Sequence, residues 1–184
     1  NGGTLVLTGN LASSPVAVAA GATLSIVGST APVSVKTISG LGAVDVSGSK
    51  LVLTNASGTF AGTIIDPAGD LQISAGSLTL TNVNTYVGTT TIDSGATLYL
   101  TGSGSIAISS GVVANGTFDI SGVTTGASIK TLSGSGVVSL GAKTLTLTAA
   151  NGTFSGAMSG TGGLTLTSGT ETLSGTNTYD GVTA

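Results

Sequence analysis

The chain has 184 residues, 31 of them glycine, with 40% hydrophobic, 6% charged and 3% aromatic residues and a formal net charge of −3. That is too apolar and too weakly charged for intrinsic disorder, and four scattered lysines give no basic patch for nucleic acid. With no histidine and no cysteine, the sequence lacks disulfides, thiol chemistry, the usual transition-metal ligands and a Ser-His triad.

From the N-terminus onward the chain is a succession of short alternating strings. They run Leu5-Val6-Leu7, Leu24-Ser25-Ile26, Val44-Asp45-Val46, Leu51-Val52-Leu53, Leu71-Gln72-Ile73 and Leu78-Thr79-Leu80. The series resumes with Leu98-Tyr99-Leu100, Ile106-Ala107-Ile108, Val138-Ser139-Leu140, Leu145-Thr146-Leu147 and Leu164-Thr165-Leu166. Two aliphatics two residues apart mark a strand with one buried face. Gly, Asn or Ser-Gly between strings supplies the turns. No stretch carries a helical period with caps, and the longest apolar run, Val16 to Ala20, is far too short to span a bilayer.

Strands this short are unstable alone, so they must assemble as a sandwich, a barrel or a solenoid. Leu, Ile and Val recur inward where they can stack on one another, the spacing is short, and Asn-Gly hairpin turns are few, at Asn115-Gly116 and Asn151-Gly152. The expected fold is all-β: a right-handed single-stranded parallel β-helix (a β-solenoid) of about nine coils, a rod about 40–45 Å long. Phe60, Phe118 and Phe154 should point into its core.

A larger period is superimposed. Val35-Lys36-Thr37-Ile38-Ser39-Gly40 matches Ile129-Lys130-Thr131-Leu132-Ser133-Gly134, and Gly58-Thr59-Phe60-Ala61-Gly62 matches Gly152-Thr153-Phe154-Ser155-Gly156, both 94 residues apart. Thr4-Leu5-Val6-Leu7-Thr8-Gly9 matches Thr97-Leu98-Tyr99-Leu100-Thr101-Gly102 at 93. The chain is therefore a single β-helix segment, 1–184, made of two tandem copies, 1–93 and 94–184. Residues one copy apart should occupy similar settings.

The stretch from Gly76 to Leu98 holds a Leu-rich strand, Asn84-Thr85-Tyr86, Gly88-Thr89-Thr90, Ile92, Gly95 and a further strand. A second version begins Glu171-Thr172-Leu173-Ser174-Gly175-Thr176-Asn177-Thr178-Tyr179-Asp180-Gly181. This order of residues resembles the passenger-associated transport repeat of bacterial autotransporters. The resemblance implies a passenger exported by type V secretion to the surface of a Gram-negative cell. Its implied partner is the outer-membrane translocator barrel of the same parent chain, with host or surface glycans as ligands of an adhesive version. A structural stalk and an adhesin are both compatible with it. The alternatives are a segment of a carbohydrate-active β-helix enzyme, or an ice-binding or filament-forming surface solenoid.

Candidate chemistry is sparse. Asp66 and Asp70 form the one close acidic pair, which glycoside hydrolysis would require; a decorated turn is the plainer reading. Lys36 with Lys130, and Lys50 with Lys143, could line up as ligand-contacting cations, or blunt exposed strand ends. Tyr86 and Tyr179 could be platforms for sugars, or could plug corners with their hydroxyls hydrogen-bonded. The threonines of Thr79-Leu80-Thr81, Thr144-Leu145-Thr146-Leu147-Thr148 and Thr165-Leu166-Thr167 could form a flat array for ice, or simply stabilise strands. Asn55, Asn115 and Asn151 head glycosylation-type triplets, as chance provides in so Ser/Thr-rich a chain. No catalytic, cofactor-binding or metal-ligating residue is assigned, and no enzymatic activity is expected. The ends, Asn1-Gly2-Gly3-Thr4-Leu5 and Thr183-Ala184, fall inside motifs without a cap, which leads to an expectation of end-to-end self-association.

Overall fold

The computed structural model describes residues 2–184. Its strands are short. The first half of the chain forms β1 (Thr4–Val6), β2 (Leu11–Val18), β3 (Thr23–Ser25), β4 (Val33–Gly40), β5 (Ala43–Asp45), β6 (Lys50–Leu53), β7 (Thr59–Phe60), β8 (Thr63–Ile65), β9 (Asp70–Ile73), β10 (Ser77–Leu80) and β11 (Thr89–Ile92). The second half forms β12 (Thr97–Gly102), β13 (Gly111–Ala114), β14 (Thr117–Val123), β15 (Ala127–Ile129), β16 (Leu132–Ser133), β17 (Val137–Gly141), β18 (Leu145–Leu147), β19 (Thr153–Phe154), β20 (Ala157–Gly160), β21 (Leu164–Leu166) and β22 (Thr172–Leu173).

The strand pairings are parallel, and partners lie one turn apart. On the first face Thr4 pairs with Thr23, Thr23 with Ala43, and Ala43 with Thr63. The second face stacks the first half of β4, then β6, β9, β11, β13 and β16, and continues through a Gly134–Phe154 bridge to β19 and β22. The third face stacks β2, the second half of β4, β7, β10, β12, β14, β17 and β20. Strand β4 turns the corner, so the second and third faces share one sheet. The result is a parallel β-helix of about eight turns, close to the nine expected.

Alternation explains the core. In β6, β9 and β10 the first and third positions are half-exposed while the second and fourth are buried. Inward residues form columns through the rod. Leu51 stacks on Leu71, Thr90, Val112 and Leu132 in succession, and Leu78 on Leu98, Phe118, Val138 and Met158. A fully buried aliphatic of this kind contributes about 1.5–3 kcal/mol. Phe60, Phe118 and Phe154 are all fully buried, as the alternation requires.

The two copies repeat their local geometry. The Lys36 carbonyl accepts from Asn55 N and the Lys130 carbonyl from Ala149 N, both at 3.0 Å. The Phe60 and Phe154 rings each lie over a glycine, Gly62 and Gly156, where an added Cβ would collide with ring and backbone. Gly40 and Gly134 sit at φ 102° and 108°, a region that favours glycine. Each packs on the preceding turn, at Val18 and Ala114.

Equivalent residues do not share a face, however. Phe60 lies on the third face, between Gly40 and Leu80, whereas Phe154 lies on the second, between Gly134 and Leu173. Likewise Thr4 opens the first face and its counterpart Thr97 stands on the third. Counting turns from Thr4 through Thr23, Ala43 and Thr63 to Asn84, then two faces further to Thr97, one copy spans about four and two-thirds turns. The settings are similar in local contacts but rotated by a third of a turn.

Candidate functional site

Most polar side chains singled out in the sequence are already occupied by the fold. Asp66 and Asp70 face opposite ways along the rod. Asp66 reaches back one turn, where its Oδ2 accepts from Gly48 N at 3.3 Å. Asp70 reaches forward, its Oδ1 accepting from Thr89 N at 2.7 Å. The two carboxylates thus tie to two different turns. Asp45 accepts from Ser47 N and Oγ at 3.1 and 2.6 Å, and Asp119 from Ser121 N at 2.8 Å. Asp93 accepts from Gln72 Nε2 at 2.6 Å. These bonds tie down corners, which is why acids appear at turns.

The lysines do not form a row. Lys36 belongs to β4 on the second face, while Lys130 directly follows β15, whose stack with β18 and β21 lies on the first. Lys50 opens β6 in register with Asp70, and Lys143 donates through Nζ to the Thr124 carbonyl at 3.0 Å.

Tyr86 is a core residue. Its ring is fully buried and its hydroxyl lies 2.7 Å from Thr90 Oγ1, which in turn lies 3.1 Å from Ser109 Oγ. Ser109 donates to the carbonyls of Gly88 and Gly111 at 2.7 and 3.1 Å. This chain of hydroxyls links two consecutive turns inside an aliphatic core, and burial holds the phenol well above its ordinary pKa. Tyr179 repeats the first link, to Thr183 Oγ1 at 2.6 Å. Asn84 and Asn177 repeat another: their Oδ1 atoms accept from Ile64 N at 2.9 Å and Met158 N at 3.0 Å, standing in for strand hydrogen bonds.

Threonine arrays are local. Thr146 and Thr165 are in register on β18 and β21, beneath Ser128 of β15. On the third face the outward column reads Thr59, Thr79, Tyr99, Asp119, Ser139 and Ser159, so a ring and a carboxylate interrupt the hydroxyls. Asn55, Asn115 and Asn151 are all exposed at turns.

Two features escape a reading by motif. Tyr99 stands partly exposed between Thr79 and Asp119. Glu171 occupies an inward place in the last turn. Both of its oxygens are shut off from solvent and lack a well-formed hydrogen bond, and burial raises its pKa, with the Gly152 backbone offsetting only part of this. Aligning Glu171-Thr172-Leu173 on Leu78-Thr79-Leu80 is the signal that finds Glu171, because it sets the carboxylate in the place of a core leucine.

Comparison with family models, curated proteins and solved structures gives no match. The functional reading therefore rests on what the solenoid itself offers. Its surface is made of half-buried hydroxyls, amides and glycines. Among the described residues no group of three His, Cys, Asp or Glu side chains is poised for a metal ion, and no helix is long and apolar enough to cross a membrane.

Proposed function

We propose that this chain is a structural segment of an exported autotransporter passenger, a stiff stalk that holds function at the bacterial cell surface. One observation carries the reading: two hydrogen bonds of the Asn-Thr-Tyr motif recur in both copies. In each, the asparagine replaces a strand hydrogen bond and the tyrosine anchors to a hydroxyl four residues on. A motif kept for its role in stacking turns suits a spacer. Each turn pairs with its neighbours, so the chain can fold progressively as it emerges, without disulfides to delay it. No catalytic role is proposed for the segment.

The test is to place the chain between a signal peptide and an outer-membrane barrel in a Gram-negative host and treat intact cells with protease. The expected result is folded chain accessible from outside. Retention in the periplasm with the barrel correctly inserted would overturn the reading.

An adhesive role has one observation of its own, the exposed Tyr99 ring flanked by Thr79 and Asp119, a stacking face beside a hydroxyl and a carboxylate. Binding on a glycan array that is lost in Tyr99→Ala would favour adhesin over stalk.

A further inference from the structure

Among the described residues Asp66 is the only buried acid, and it stands in a column of the core. Leu24, Val44 and Ile64 are in register on the first face. Two residues further, in the same inward phase, come Ile26, Val46 and Asp66, all buried. A carboxylate thus takes the place that two preceding turns give to an aliphatic. Asp66 is 6% exposed. Its Oδ2 has one long hydrogen bond, from Gly48 N at 3.3 Å, and its Oδ1 is shut off from solvent with no hydrogen-bond partner.

Other turn acids are satisfied locally. Asp45 and Asp119 each accept from the amide two residues on. Asp66 is followed by Pro67, which has no N–H to offer. Gly69 keeps room for the carboxylate, since a Cβ added there would collide with Asp66 Oδ2 and the Val46 carbonyl. A buried carboxylate oxygen without a donor is costly unless something completes it.

The surroundings suit a cation. Ser47 N holds Asp45 Oδ1 and Gly48 N holds Asp66 Oδ2. These are consecutive amides, so the two carboxylates lie side by side although they belong to different turns. Both line one groove at the corner between the first and second faces, with Ser47, Pro67, Thr85 and Val87, and no lysine lines it. Ser47 engages only Oδ1 of Asp45, which leaves Oδ2 to spare. An ion can also approach more closely than a water, at about 2.3–2.6 Å from an oxygen rather than about 2.8 Å. The two acids vary together as well: their second-copy counterparts are Ser139 and Gly160.

We propose that Asp66 Oδ1 and Asp45 Oδ2 bind a divalent cation of the calcium class, with the Thr85 hydroxyl at the rim and water completing the shell. Every donor is an oxygen, which selects hard cations over transition metals. Calcium accepts an irregular, flexible shell, whereas magnesium demands a near-ideal octahedron. Acids fixed by the backbone of two different turns suit the former. Two carboxylates make a weak site, in the range of about 10⁻⁴–10⁻³ M found in extracellular modules. The ion staples together the successive turns that carry Asp45, Asp66 and Thr85.

Thermal unfolding of metal-stripped chain titrated with calcium chloride tests this, with equilibrium dialysis to count bound calcium. One ion per chain is expected. Calcium at about ten times its Kd should raise Tm by about 3–6 °C. Asp66→Asn and Asp45→Asn should each weaken binding about tenfold or more. Asp66→Val continues the column of Ile26 and Val46, so it should fold, lose the calcium response and melt above metal-free wild type. Asp119→Asn removes a turn acid of the same local kind on another face and should leave binding unchanged. Wild-type chain that neither binds calcium nor shifts its Tm at about 10 mM would overturn the proposal. So would an equal response to magnesium chloride, the mark of general screening, or calcium binding that survives in Asp66→Val.

Discussion

Tyr86 shows how a single residue is used in this fold. Its ring fills a column position and its hydroxyl starts a relay through Thr90 to Ser109, so one side chain binds two turns. Tyr86→Phe leaves Thr90 and Ser109 in place but removes the first link. A loss of about 1–3 kcal/mol is expected in denaturant unfolding, the cost of a buried polar group left short of a partner. Phe118→Ala opens a cavity between Leu98 and Val138 and should cost about 3–5 kcal/mol, read as a lower denaturant midpoint. Glu171 sets a pH dependence of unusual sign. Its pKa is raised in the folded state, so the charged form is penalised there. The penalty is fully present above the raised pKa and disappears as the pH falls through it toward the unfolded-state value. Protection in β22, corrected for the intrinsic pH dependence of amide exchange, should therefore rise on mild acidification in dilute chain, and Glu171→Gln should abolish the rise. Lower corrected protection on acidification in wild type would contradict it.

At the scale of the strand and its turn, the sequence was most informative where alternation is strict. Leu51-Val52-Leu53 and Leu78-Thr79-Leu80 declared their buried faces, and Phe118 followed in the same phase. The Asn-Thr-Tyr motif was visible as a motif, but its hydrogen bonds were not. That Asn84 Oδ1 would serve Ile64 N depends on how many residues fill the preceding turn. Turn length is not constant, being 18 between Val33 and Leu51 but 22 between Thr89 and Gly111, and alternation does not encode it. For the same reason the opposed directions of Asp66 and Asp70 could not be read from a separation of four residues. The asparagines offer a comparison between matched elements. Asn84→Ala and Asn177→Ala each remove the bond that replaces a strand contact. Asn84 is almost wholly buried and in the middle of the rod, whereas Asn177 is only half-buried. The cost should be larger at Asn84, by about 1 kcal/mol or more in paired denaturant curves. Equal costs would show that position along the rod does not matter.

Across the whole molecule, stability is a sum of contacts between neighbouring turns. Exchange protection should accordingly peak in β9 to β14 and fall toward β1 and β22. Uniform protection from end to end would indicate a single cooperative unit instead.

The third-of-a-turn offset between copies has a further consequence. In an array of such copies, a side chain carried once per copy winds around the rod like a mark on a screw thread. It returns to the same azimuth only after three copies, about 14 turns or roughly 67 Å of rise. Lys36 and Lys130 are two successive marks on such a thread. A flat partner, whether a crystal plane or a membrane, would meet a given feature only at that long pitch. A partner that encircles the rod would meet it three times as often, at intervals of about 22 Å. The duplication has given the rod a grain that favours wrapping contacts over planar ones.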